Sequence, residues 1–157
     1  MPKNNVTVDG RDLMISRQIN ASPEKIWRAW TTPDLLKQWF APKPVEVTRA
    51  EIDPRPGGAS NITMRLPDGT EMDNPGCVLL AEPNHKLVFT DALGPDFRPT
   101  GGGFMTAIIL MEADGEGTRY SARVLHKDED DRKRHEEMGF AEGWGQCLDQ
   151  LAELVEK

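Results

Sequence analysis

A chain of 157 residues fits a single domain, and at that length one core forms without disulfide staples. With 19 basic against 26 acidic residues, the net charge of −7 sets the chain against nucleic acid and anionic membranes, which both need clustered positive charge. No apolar run reaches the roughly 18–20 residues of a membrane span, and Lys3, Asp9, Arg11, Asp12 and Arg17 predict no secretory leader. Cys77 and Cys147 form no Cys-x-x-Cys pair, which fits a reducing cytoplasm with both packed as small hydrophobes.

Residues 1–10 are polar and predict a frayed end, so the whole of 1–157 reads as one domain. Asp12 to Asn20 reads as a strand with Leu13, Ile15 and Ile19 on one face. Ser22-Pro23-Glu24 is a helix start: a side-chain cap, a proline at the first position, a carboxylate at the positive end. Thr32-Pro33-Asp34 repeats that signal, so two short helices stand in tandem, the second running to about Phe40.

From Val45 the period becomes two. Strands are predicted at Val45–Ile52, Ser60–Arg65, Gly76–Ala81, Leu87–Ala92, Phe104–Glu112 and Thr118–Lys127. Pro67-Asp68-Gly69-Thr70 and Asp114-Gly115-Glu116-Gly117 close hairpins, and Gly94–Gly103 reads as a long loop. The last segment, Asp128 to Glu156, reads as one long helix with an apolar stripe through Met138, Ala141, Trp144, Leu148, Leu151 and Val155. Gly139, Gly143 and Gly145 are each about 1 kcal/mol worse than alanine inside a helix, so they predict close packing or room for a ligand.

This order, with Ile26-Trp27-Arg28-Ala29-Trp30-Thr31, Pro33, Trp39, Gly57-Gly58, Leu87-Val88-Phe89-Thr90, Gly117-Thr118-Arg119, His135-Glu136, Gly143-Trp144 and Leu148–Leu151, resembles the SRPBCC or START-like superfamily. Within it the chain looks like the bacterial branch similar to the activator of the heat-shock-protein-90 ATPase. The resemblance covers about residues 12–156. It implies an α+β helix-grip fold: a curved antiparallel sheet of six to seven strands around a long C-terminal helix, with two short helices after the first strand. That fold hosts lipid carriers, polyketide cyclases and chaperone activators, so it does not choose an activity.

No metal set is readable. His135-Glu136 opens like a zinc-protease motif, but Gly139 stands where the second histidine belongs. His85 falls in a turn, and His85 and His135 read as surface or structural residues. His126 shares a strand face with Tyr120, Ala122 and Val124; it reads either as a solvated strand end or as a group at a cavity mouth that titrates near neutral pH. There is no Gly-x-Ser-x-Gly elbow and no cofactor signature, and Gly101-Gly102-Gly103 leads into a strand rather than a helix.

The sharper expectation is an apolar cavity lined by Ile62, Met64, Val78, Leu80, Tyr120, Ala122, Val124, Met138 and Trp144, with Trp39 and Phe40 as wall or gate. The bland alternative is that large side chains fill the space. The sequence therefore predicts a noncatalytic binder of a small hydrophobic molecule. A cyclase- or aromatase-like enzyme is the alternative, with Tyr120 and His126 as its only acid–base candidates. The resemblance also implies a third class, a chaperone cofactor acting through its surface. Met105, Ala107, Ile109 and Met111 on one face and Ile108 and Leu110 on the other leave a homodimer interface open beside fully buried packing.

Overall fold

The computed structural model describes residues 4–157. Six strands form the main antiparallel sheet: β1 (Asn5–Asp9), β2 (Asp12–Ile19), β6 (Cys77–Glu82), β7 (Lys86–Thr90), β10 (Thr106–Asp114) and β11 (Gly117–Leu125). Their spatial order is β1-β2-β11-β10-β7-β6. A second antiparallel sheet of β3 (Glu46–Ile52), β4 (Ser60–Arg65) and β5 (Glu71–Asn74) continues the wall. An Ala59–Cys77 bridge and the Val78 N–H to Gly58 O bond of 2.9 Å stitch the two sheets together.

The amino-terminal segment departs from the frayed expectation over residues 5–9, which pair with β2 around the turn at Gly10. Backbone pairing at the sheet edge orders these residues although every side chain of β1 is exposed. Residues 1–3 of that expectation lie outside the described residues. The long loop holds two short paired strands, β8 (Leu93–Gly94) and β9 (Arg98–Pro99), around a 3₁₀ turn at Pro95–Phe97.

Two helices follow β2. In α1 (Pro23–Thr31) the Ser22 side chain accepts from the Lys25 N–H at 3.3 Å, as the capping signal requires. Helix α2 (Pro33–Leu36) is only four residues, after which turns carry the chain through Trp39 to Phe40.

The expected long terminal helix is two helices, α3 (Glu129–Glu137) and α4 (Phe140–Val155). Gly139, at φ +96°, separates them in the left-handed region that glycine adopts without a Cβ clash. Asp128 caps α3, accepting from the Asp131 N–H at 2.9 Å.

The core lies between the concave sheet face and α4. Leu13, Ile15 and Ile19 of β2, Ala107, Ile109 and Met111 of β10, and Ala122 and Val124 of β11 meet Phe140, Leu148, Leu151 and Val155. The carboxy-terminal half of α4 is tied down by polar contacts. Arg17, buried on β2, donates to Asp149 at 3.0 Å, and the Asn20 N–H donates to Glu156 at 2.8 Å. Gln150 donates to the carbonyls of Trp39 and Ala41 at 3.0 and 2.8 Å, clasping α4 to the loop after α2.

Candidate functional site

Where α4 leaves the sheet, an apolar cavity of about 270 Å³ remains. Its floor is Ile15, Tyr120 and Ala122 of the sheet with Met105 just before β10; one wall is Trp30, Trp39 and Phe40; the roof is His135, Phe140, Gly143, Trp144 and Cys147. Met64 of β4 and Pro42 complete it, and Met138 stands largely exposed at the rim. No lysine, arginine, aspartate or glutamate lines the space.

The glycines account for part of this volume. A Cβ added at Gly143 would meet nothing within 4 Å, so the first turn of α4 has a bare face on the cavity. Gly139 serves the helix break, and Gly145 lies under the Asn4 side chain. Of the three helix glycines, one makes room, one turns the chain and one allows a close approach.

Seven of the eleven residues expected at the cavity line it: Trp39, Phe40, Met64, Tyr120, Ala122, Met138 and Trp144. Ile62, Val78, Leu80 and Val124 do not. Leu80 is turned away by a bulge between Val78 and Leu80, which breaks the two-residue period: Val78 pairs with buried Phe89, Leu80 with half-buried Val88 on the other face. Val78, Ile62 and Val124 face inward but are consumed by core packing.

The aromatic wall is internally bonded. Trp30 Nε1–H donates to the Tyr120 hydroxyl at 3.1 Å, and Trp39 Nε1–H to the Ala29 carbonyl at 3.1 Å. The Trp30 ring stands edge-on to Trp39 and Phe40, with centroids 4.8 and 5.6 Å away. Burial pushes the Tyr120 phenol well above its ordinary range, so it is a neutral hydroxyl at any physiological pH. Burial likewise pushes the Cys147 thiol up to about 12, and its S–H donates to the Phe40 carbonyl.

Of the three histidines, His85 lies where it is expected, and His126 and His135 do not. His85 is on the surface beside Glu82. His126 is neither at a mouth nor in the lining: it is buried behind His135, with Nδ1 2.9 Å from the Arg11 carbonyl and Nε2 2.9 Å from His135 Nδ1. His135, which reads as surface or structural, is the histidine on the cavity. Its ring packs among Phe104, Phe140 and Trp144, with centroids 5.0, 5.1 and 6.4 Å away. Desolvation, and then the neighbouring His126, hold it down to about 4, with Asp91 acting weakly the other way. The sequence carries no spacing signal for it: Glu129 to Glu137 holds no apolar residue to mark an inward face, and the buried members of α3 are Asp131 and His135.

Among the described residues no group of three metal-ligating side chains converges, and no helix is long and apolar enough to cross a membrane. Strand β10, considered above for a dimer face, is interior to the sheet between β11 and β7; its Ile108 and Leu110 are half-buried on the face away from α4.

A sheet gripping a terminal helix, with two short helices closing one end, defines the helix-grip class of the SRPBCC superfamily. The chain belongs to the family described as Activator of Hsp90 ATPase homolog 1-like protein, which it matches over residues 20–156. It is similar to a protein of known structure from Nitrosomonas europaea, with 41% identity, 95% of this chain and 97% of that one covered, and a TM-score of 0.91. A Rhodobacter sphaeroides protein shares the fold at 23% identity, with 97% of each chain covered and a TM-score of 0.84. A Mycobacterium smegmatis protein does so at 23% identity, covering 96% and 95%, with a TM-score of 0.80. No curated protein matches the chain.

Proposed function

We propose that this protein binds a small hydrophobic molecule in the cavity between α4 and the sheet. The observation that carries this reading is the cavity itself: about 270 Å³, apolar, free of charged side chains and faced by a bare glycine on a helix. A dry apolar cavity of about 150 Å³ holds benzene, so this one suits roughly two fused rings.

Replacing Gly143 by leucine tests it. The variant gains up to about 1 kcal/mol of helix propensity while its side chain enters the cavity. We expect naphthalene to bind the wild-type chain in calorimetry, and Gly143→Leu to keep or raise urea stability while losing that binding. A wild-type chain that binds no apolar probe sinks the reading. Native mass spectrometry of gently purified protein reads any co-purifying molecule and the subunit number together, the latter bearing on a dimer.

Two observations favour other readings. Tyr120 and His135 on the cavity supply acid–base groups for a cyclase-like enzyme, His126 acting only through His135. Unchanged activity in Tyr120→Phe and His135→Phe variants counts against that reading. The family's description supports a chaperone cofactor; an unchanged ATPase rate on adding the protein to that chaperone counts against it.

A further inference from the structure

The cavity carries a polar demand that its apolar walls conceal. His126 Nδ1 lies 2.9 Å from the Arg11 carbonyl, which only accepts, so Nδ1 holds a proton. In neutral His126 the other nitrogen, Nε2, is then an acceptor. It lies 2.9 Å from His135 Nδ1, so that atom donates, and the proton of neutral His135 sits on Nδ1. With both imidazoles neutral, the backbone carbonyl thus sets both tautomers in turn and leaves His135 Nε2 with a bare lone pair.

No hydrogen bond to that nitrogen is made among the described residues, and it belongs to a residue that is 92% buried and lines the cavity. It is the open side-chain acceptor of the lining, because the remaining ring nitrogens there are indole N–H donors and the Tyr120 oxygen already accepts from Trp30. The Tyr120 O–H hydrogen, in turn, has no acceptor among the described residues, so the cavity offers a donor as well. A ligand that covers these groups without matching them forfeits about 1–3 kcal/mol, which selects ligands that satisfy them.

We infer that the cavity takes an uncharged, hydroxyl-bearing hydrocarbon of about two rings, its hydroxyl donating to His135 Nε2. The inference rests on the cavity reading proposed above and narrows it. A hydroxyl donates to an open acceptor and can still accept from a donor in the lining, whereas an indole-type N–H only donates. An ionised carboxylate or ammonium is excluded by the uncharged lining, which offers no counter-ion for a desolvated charge.

The test is calorimetry at pH 7 on the full chain with naphthalene, 2-naphthol, 2-methoxynaphthalene and 2-naphthoate. We expect 2-naphthol to bind about tenfold tighter than its methyl ether, which keeps the oxygen but cannot donate. In His135→Phe that ratio should fall to about one while naphthalene still binds, which shows a folded, open cavity. Equal affinity of 2-naphthol and its ether in the wild-type chain overturns the inference, as does a preference that survives His135→Phe or tighter binding of the naphthoate. These outcomes leave the cavity reading standing if naphthalene binds; failure of naphthalene to bind the wild-type chain removes both. Nitrogen-15 spectra of the imidazoles give a second readout: free protein should show His135 protonated on Nδ1, and a proton on Nε2 at pH 7 overturns the tautomer argument.

Discussion

The Trp30–Tyr120 bond joins the first helix to the sheet between two buried side chains. Replacing Tyr120 by phenylalanine preserves ring volume but strands the indole N–H. The expected loss in urea denaturation is about 1–3 kcal/mol, and a loss of a few tenths only would show that the N–H finds another partner. Backbone proximity is as demanding at Gly58. A Cβ there would stand 2.0 Å from the Asp53 carbonyl oxygen, whereas one at Gly102 meets nothing within 4 Å. Gly58→Ala should therefore cost more than about 2 kcal/mol and Gly102→Ala less than about 0.5. Equal effects would show that the turn before β4 relaxes freely. Phe97, with no periodic partner in the sequence, folds back so that its ring covers Gly57, which sits at φ +83°.

At the scale of elements, the helix break makes a prediction of opposite signs. A continuous terminal helix would make alanine stabilising at both Gly139 and Gly143. With Gly139 at φ +96°, Gly139→Ala should instead cost about 1 kcal/mol, while Gly143→Ala gains up to about that amount. Thermal denaturation of the two variants decides it; stabilisation by both would restore the single helix. The break was hidden in the sequence because Met138 and Trp144 continue the apolar rhythm of α4 across it. Strand β5 was hidden for the opposite reason: Glu71–Asn74 is exposed on every side chain and so carries no alternation. The bulge at Val78 and Leu80 is a backbone event that side-chain parity cannot register. What was legible was whatever burial writes into spacing: β2, β10, β11, the capped start of α1, and the cavity residues Trp39, Met64, Tyr120, Ala122 and Trp144. His135 was not, because its burial is enforced by the return of the chain after β11 rather than by an apolar neighbour in sequence. The family resemblance supplied the helix-grip architecture, in which those spacings become one curved wall.

For the whole molecule, the paired histidines couple folding to acidity. His135 sits at about 4 in the folded chain against an ordinary 6.5, chiefly through desolvation, with His126 adding to the shift and Asp91 opposing it. Between those values the unfolded chain binds a proton that the folded chain refuses, so stability rises with pH. The contribution is complete above about pH 6.5, declines as the pH falls, and is exhausted near pH 4, a span worth on the order of 3 kcal/mol. In His135→Phe this contribution is absent, while carboxylates elsewhere titrate as before. Urea midpoints at pH 7 and pH 5 should therefore show the wild-type chain losing about 2 kcal/mol more than the variant over that interval. His126 and Asp91 face the same ring, and Asp131 lies close enough to His126 to feel its charge. His126→Gln alongside separates their share: if the His135 ring is the group that refuses the proton, this variant keeps most of the wild-type slope. Identical slopes for wild type and His135→Phe would mean that the ring accepts its proton in place, and that the aromatic nest around it is wetter than its packing implies.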